Sequence, residues 1–176
     1  MRRAVAAIIP ALAFVIAADC GRSQDDASTF RALDVGTPVP AYQARTLSGD
    51  SIRVGGNEPP TVLNVWATWC VSCREEMAAL DSLKREFGER GVRVIAVSVD
   101  KSNDDHVRRF AEANQLAMIV AHDSTATINQ AYQVVGVPST FVIGADGKLI
   151  WRRTGNIIGV VPEVESAVRR ALGHEP

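Results

Sequence analysis

Thr61-Val62-Leu63-Asn64-Val65-Trp66-Ala67-Thr68-Trp69-Cys70-Val71-Ser72-Cys73 is the stretch around which the rest of the chain is organised. Thr61 to Ala67 is mostly apolar, β-branched or aromatic and follows Pro59-Pro60, the pattern of a buried central strand. Beyond it Cys73, Glu76, Leu80, Leu83 and Phe87 recur at steps of three and four, which predicts an amphipathic helix. Cys70 therefore stands where strand passes to helix. Unpaired N–H groups and the positive end of the helix dipole favour a thiolate there. Such a placement lowers a cysteine pKa from about 8.5 to between about 3.5 and 7.5. Two cysteines two residues apart can close and reopen a small disulfide ring. Cys70, at the exposed start of the helix, is the candidate attacking thiol, and Cys73, one turn inside, the resolving one.

Glu76 lies three residues beyond Cys73, on the same face and inside the apolar stripe. Desolvation raises a carboxyl pKa there and brings it into the range where it exchanges a proton with a thiol. The competing reading, a first-turn glutamate open to water, fits Glu75 better. Half of a zinc site is the alternative for the cysteine pair. The chain holds no second C-x-x-C, and His106, His122 and His174 are scattered, so no metal is expected. All three histidines read as ordinary surface or loop residues.

Working outward, Tyr42–Leu47 and Ser51–Val54 flank Ser48-Gly49-Asp50 and predict a hairpin at the edge of the domain. Gly91 stops the first helix, and Val92–Val99 is the next strand. Asn103 caps a helix carrying Val107, Phe110 and Ala111 on one face. Leu116–Val120 reads as a short strand, after which Asp123 or Ser124 caps a helix bearing Ile128, Ala131 and Tyr132. Strand–helix–strand alternation implies parallel pairing. Phe141–Ile143 and Leu149–Trp151 flank an Asp-Gly turn, a second hairpin. Pro162 suits the first turn of a closing helix with Val164, Val168 and Leu172 on one face.

A chain of 176 residues, 47% hydrophobic, suffices for one domain with a proper core. Its 19 basic and 20 acidic residues give a formal net charge of −1, with no basic excess that would point to nucleic acid. Three cysteines are too few for a disulfide-stapled scaffold. Met1-Arg2-Arg3 followed by the apolar run Ala4–Ala18 is the pattern of an export signal. The expected organisation is an export signal or membrane anchor over residues 1–19, a polar tether over 20–32 and one domain over 33–176.

Asn64 to Met77, Asn-Val-Trp-Ala-Thr-Trp-Cys-Val-Ser-Cys-Arg-Glu-Glu-Met, resembles the active-site segment of exported thioredoxin-like thiol–disulfide oxidoreductases, the ResA/TlpA/DsbE-like proteins of bacteria. Gly136-Val137-Pro138-Ser139-Thr140-Phe141 is similar to that family's cis-proline segment, and the likeness spans about Leu33 to Leu172. The resemblance implies an α/β thioredoxin fold: a central mixed β-sheet flanked by helices, with an N-terminal β-hairpin and a helix–strand insertion over Asn103–Val120. It implies exchange of a Cys70–Cys73 dithiol/disulfide with protein substrates, as a reductant on disulfides such as those of apocytochrome c, recharged by a membrane thiol electron donor. No cofactor is implied beyond the redox-active disulfide. Glu76 matches a functional glutamate of the family. Pro138 is implied to be cis beside the cysteines, with the Val137 backbone pairing with an extended substrate. Trp69 is a candidate substrate contact, whereas Trp66 reads as core.

Two departures stand out. Ser72 occupies a position where many relatives carry proline, and Asn64 one where cytoplasmic thioredoxins bury an aspartate, so Asn64 cannot titrate. Ile16-Ala17-Ala18-Asp19-Cys20 resembles a bacterial lipoprotein signal, except that Asp19 stands where a small residue is usual. Lipid attachment at Cys20, cleavage near Ala18 and an uncleaved anchor are three open outcomes, and all leave the domain outside the cytoplasmic membrane, membrane-associated in the first and last. A peroxiredoxin-type thiol peroxidase and a copper- or thiol-binding module of related fold are the competing functions. The first normally has a Pro/Thr-rich loop before its cysteine, the second three residues between its cysteines.

Overall fold

The structure, a computed structural model, describes residues 33–173. The expected export signal and tether, with Cys20, and His174 lie outside the described residues.

Seven strands and four helices follow one another as β1 (Tyr42–Thr46), β2 (Ser51–Val54), β3 (Thr61–Trp66), α1 (Val71–Phe87), β4 (Arg93–Ser98), α2 (Asp104–Ala113), β5 (Ile119–His122), α3 (Thr127–Ala131), β6 (Ser139–Ile143), β7 (Leu149–Thr154) and α4 (Val161–Ala171). The strands form one sheet in the order β2-β1-β5-β4-β3-β6-β7. β3, β4 and β5 are parallel neighbours, whereas β1–β2, β1–β5, β3–β6 and β6–β7 are antiparallel. This is the mixed sheet of the thioredoxin fold, with β5 inserted between the N-terminal hairpin and β4.

Every residue of β3 is buried, as expected of a strand paired on both sides and covered by helices. α1 buries Cys73, Glu76, Leu80, Leu83 and Phe87, the stripe that the spacing predicts, and Met77 beside it. Each large apolar side chain so buried contributes about 1.5–3 kcal/mol. α1 and α4 touch, and Arg169 of α4 stands 5.4 Å from the Phe87 ring centroid while pairing with Glu86 at 3.4 Å. α2 lies along β5 and places Phe110 5.1 Å from the Trp66 ring. Trp66 is core, fully buried.

Three expectations shift in detail. β5 begins at Ile119, because Gln115 takes a positive φ of 51° and the strand starts only where it pairs with Ile95. α3 is capped by Ala126, in the left-handed region at φ 54°, and not by Asp123 or Ser124. Asp123 still serves that end from outside the helix, accepting the Ile128 N–H at 2.8 Å. Glu75, expected in the first turn of α1, sits a turn further in because the helix begins at Val71.

The β6–β7 turn depends on a glycine. A Cβ on Gly147, whose φ is 75°, would lie 2.7 Å from the Gly56 amide nitrogen, so the loop leading into β3 and the hairpin tip pack backbone on backbone. Among the described residues no helix is long and apolar enough to cross a membrane.

Candidate active site

The parallel strands end together, and the chain leaves β3 through Ala67–Thr68–Trp69–Cys70 into α1. Cys70 is the N-cap of α1, with φ −83° and ψ 110°. Its amide donates to the Ala67 carbonyl at 3.1 Å, which folds the turn back, and its Sγ accepts the Cys73 N–H at 3.2 Å. A sulfur thus occupies the place of the usual capping oxygen, where helix N–H groups stabilise negative charge. The first turn of α1 carries no acidic residue to compete for that field.

Cys70 and Cys73 are joined as a disulfide, with Cα atoms 5.2 Å apart. In this closed form Cys70 is only 7% exposed and Cys73 is sealed, which corrects the expectation of an openly exposed Cys70. The folded-back turn is the cause, yet the asymmetry between the two sulfurs is kept. Ser72 Oγ lies 3.5 Å from Cys70 Sγ, within reach of a hydroxyl–sulfur bond.

Glu76 is fully buried one turn below Cys73. Its Oε1 accepts from Asn64 Nδ2 at 2.8 Å and its Oε2 from the Ile157 N–H at 2.9 Å. Burial pushes its pKa up from 4.5 to about 7, against the pull of those two hydrogen bonds, which favour the charged form. Asn64 also donates to Thr140 Oγ1 at 3.0 Å, while its own Oδ1 has no partner. An inward-facing asparagine in an otherwise apolar strand was the signal for that pair, since a buried amide must find partners.

The Val137–Pro138 bond is cis. Because Ser139 pairs with Val65 near the end of β3, this segment lies beside the turn that carries Cys70. Pro138 is buried and its carbonyl accepts the Gly155 N–H at 2.8 Å. Among the described residues none is hydrogen-bonded to the Val137 backbone. Trp69 (68% exposed) and Val71 flank Cys70 in the chain, Val135 precedes Pro138 by three residues and Ile158 follows Ile157, and all four are exposed. Apart from Val35, these are all the exposed large hydrophobic residues among those described.

Sequence reasoning missed two groups. Asn156 Nδ2 donates to the Ser72 carbonyl at 2.8 Å and its Oδ1 accepts the Ile158 N–H, tying the β7–α4 loop to the cysteine ring. On the other flank Asp100, nearly buried, accepts the Thr68 N–H at 2.9 Å, the Thr68 hydroxyl at 2.6 Å and the Ser98 hydroxyl at 2.6 Å. Burial opposes the charge on Asp100, but these bonds outweigh it and hold the pKa below the usual carboxylate range. The reading of the histidines as ordinary surface or loop residues fails for His122, whose side chain is 4% exposed and bonded through both nitrogens. Partners distant in sequence are invisible to local patterning. Among the described residues no three His, Cys, Asp or Glu side chains are grouped to hold a metal ion.

The chain matches the AhpC/TSA family over residues 35–152. It is 33% identical over 119 residues to the thiol-disulfide oxidoreductase ResA of Bacillus thuringiensis subsp. konkukian, covering 67% of this chain and 68% of that one. It is 30% identical over 132 residues to the thiol:disulfide interchange protein DsbE of Pseudomonas fluorescens biotype C, covering 74% and 70%. Among solved structures, a putative thiol:disulfide interchange protein DsbE from Chlorobium tepidum superposes with a TM-score of 0.73 at 23% identity, covering 81% of this chain and all of that one. StoA from Bacillus subtilis gives 0.64 at 20%, covering 74% and 97%. A thioredoxin fold, a cysteine pair in disulfide contact at a helix start and relatives of this kind agree: the chain belongs to the AhpC/TSA family and, within it, to the thioredoxin-like thiol–disulfide oxidoreductases.

Proposed function

We propose that the protein is an extracytoplasmic reductant of protein disulfides, with Cys70 attacking, Cys73 resolving and Glu76 moving the proton. The observation that carries this reading is Glu76: a carboxyl sealed beneath the cysteine pair, with a pKa of about 7, exchanges a proton at neutral pH, which a surface glutamate does not.

In the reductive direction the Cys70 thiolate attacks a substrate disulfide. One S–S bond forms between Cys70 and the substrate as the substrate's own breaks, and its first sulfur leaves as a thiolate that takes a proton. Cys73 gives its proton to the Glu76 carboxylate and, as a thiolate, attacks the Cys70 sulfur. The substrate's second sulfur then leaves and the Cys70–Cys73 disulfide closes. Two electrons have passed to the substrate, and a dithiol donor at the membrane restores them by the reverse exchange. No cofactor beyond the cysteine pair takes part in this scheme.

An extended substrate segment pairs with the free Val137 backbone, while Trp69 and its apolar neighbours hold the flanking side chains. Apocytochrome c, with closely spaced cysteines, is a substrate of suitable chemistry. An export signal over residues 1–19, with membrane attachment by an uncleaved anchor or by lipid on Cys20, places the domain on the side where such substrates are oxidised.

The test is disulfide reduction by the wild type, Cys70→Ser and Cys73→Ser, with trapping of partners on the last. Cys70→Ser is expected to be inactive and Cys73→Ser to accumulate a mixed disulfide with its natural substrate. Turnover by Cys70→Ser would overturn the assignment.

A further inference from the structure

His122 ends β5 on the flank of the sheet away from Glu76, and the scheme above does not use it. Its Nε2 lies 2.8 Å from the Asp100 carbonyl oxygen, and its Nδ1 lies 2.6 Å from Asp104 Oδ1. A carbonyl oxygen only accepts, so Nε2 carries a hydrogen. A carboxylate oxygen also only accepts, so Nδ1 carries one too. Both nitrogens protonated is an imidazolium, the one form of this nearly sealed ring in which both contacts are hydrogen bonds.

Asp100 is gripped at both ends. Its main chain is held by His122, and its carboxylate holds Thr68, two residues ahead of Cys70, by the amide and the hydroxyl together. The Thr68 hydroxyl, having given its hydrogen to Asp100, accepts one from His106 Nε2 at 3.0 Å. Asn103 Oδ1 in turn accepts the His106 amide at 3.2 Å, so the first turn of α2 is part of the same brace. The reactive turn is therefore carried on one side by α1 and on the other by a loop whose fastening is an ion pair.

We propose that His122, as an imidazolium, is a positioning residue for the reactive turn, acting through Asp100 and Thr68 on the presentation of Cys70. The proposal rests on the reading of Cys70 as the attacking thiol. When the ring loses its Nδ1 proton, a lone pair faces the Asp104 carboxylate and that bond is lost. The first turn of α2 and the Asp100 main chain then loosen together, and the Thr68 amide with them. The charged groups facing the ring are Asp104 on α2, Asp100 on the preceding loop and Arg45, its partner across the ladder on β1. Asp123 follows it in sequence but is turned toward Tyr42 and the start of α3. Burial opposes the charge on His122, but the Asp104 and Asp100 bonds outweigh it and raise its pKa.

The test follows His122 and Cys70 separately over pH. Nitrogen-15 NMR of the oxidised protein is expected to show both ring nitrogens protonated at neutral pH, with the Thr68 amide following the ring's titration. Asp104→Asn, a change at a side chain 68% exposed, should move both titrations to lower pH without unfolding the domain. Alkylation of reduced Cys70 by iodoacetamide should show an inflection that shifts in Asp104→Asn and vanishes in His122→Gln, with the latter about three- to tenfold slower at neutral pH. A neutral ring at pH 7, a Thr68 amide indifferent to the titration, or superimposable alkylation curves for wild type and Asp104→Asn would each overturn the proposal. Labelling of Cys73 in place of Cys70 would overturn the attacking-thiol reading alone, and the Thr68 amide then decides this one.

Discussion

Glu76 on α1 and Asn64 on β3 meet across 2.8 Å, carboxylate oxygen to the amide nitrogen that donates to it, under the cysteine pair. A neutral donor steadies the charge without competing for the proton, so the carboxyl is left as the group that titrates. Burial has the larger effect, and the acid is held half-charged near neutral pH.

Replacing Glu76 by Gln keeps the shape and removes the proton carrier. Turnover near neutral pH is expected to fall by about 10- to 100-fold, the low end of general acid–base effects. The pH dependence of thiol alkylation should lose the inflection that belongs to the carboxyl. Curves identical to wild type would reduce Glu76 to a packing residue.

The same variant has a stability signature. A carboxyl whose folded pKa is raised from 4.5 to about 7 favours the folded state below about pH 4.5, and that advantage is lost as pH rises toward 7. Gln has no such loss. Denaturant melts at pH 4 and pH 8 should therefore show Glu76→Gln gaining on wild type at the higher pH, by up to about 3 kcal/mol.

Asn64→Leu removes the amide that lowers the Glu76 pKa. The carboxyl should then titrate higher still, readable by carbon-13 NMR of labelled glutamate. Leaving the Glu76 Oε1 unpaired should also destabilise the charged form by about 1–3 kcal/mol. A titration unmoved from wild type would mean the amide bond has no bearing on the proton.

Ser72→Ala tests the hydroxyl 3.5 Å from Cys70 Sγ. In the reduced protein that hydroxyl can donate to the thiolate, and the long distance puts its worth near the weak end of about 0.5–1.5 kcal/mol. Alkylation at neutral pH should slow about twofold with no change in melting temperature. Equal or faster alkylation would show that the hydroxyl does not serve the sulfur.

Trp69 is exposed and packs against little, so Trp69→Ala should leave stability within about 0.5 kcal/mol. KM for a protein disulfide should rise several-fold while reduction of a small disulfide such as oxidised dithiothreitol stays near wild type. Parallel losses on both substrates would move Trp69 from binding to the chemistry.

What was legible in the sequence was local. The β3–Cys70–α1 passage, the Asn103 cap and the Glu76 face are set by residues within a few positions of each other, and the spacing gave them away. β5 was displaced because the apolar run from Leu116 records burial, whereas the strand's start depends on pairing with Ile95. The α3 cap is not Asp123 itself, because Asp123 reaches past the cap position from outside the helix to the Ile128 amide. The couplings of Asn156 and His122 differ in kind. Asn156 to Ser72 and His122 to Asp100 join residues 84 and 22 positions apart, and nothing near either residue announces its partner.

The Ile157 amide that holds Glu76 comes from 81 residues further along the chain. Grafting Trp69 to Cys73, or even β3 with all of α1, onto another scaffold would carry over the sulfurs and the acid while leaving behind a donor that steadies it. The cysteine motif is portable as sequence. As a proton-coupled device it belongs to the whole domain, since its last part is delivered only when the chain's far end has come home.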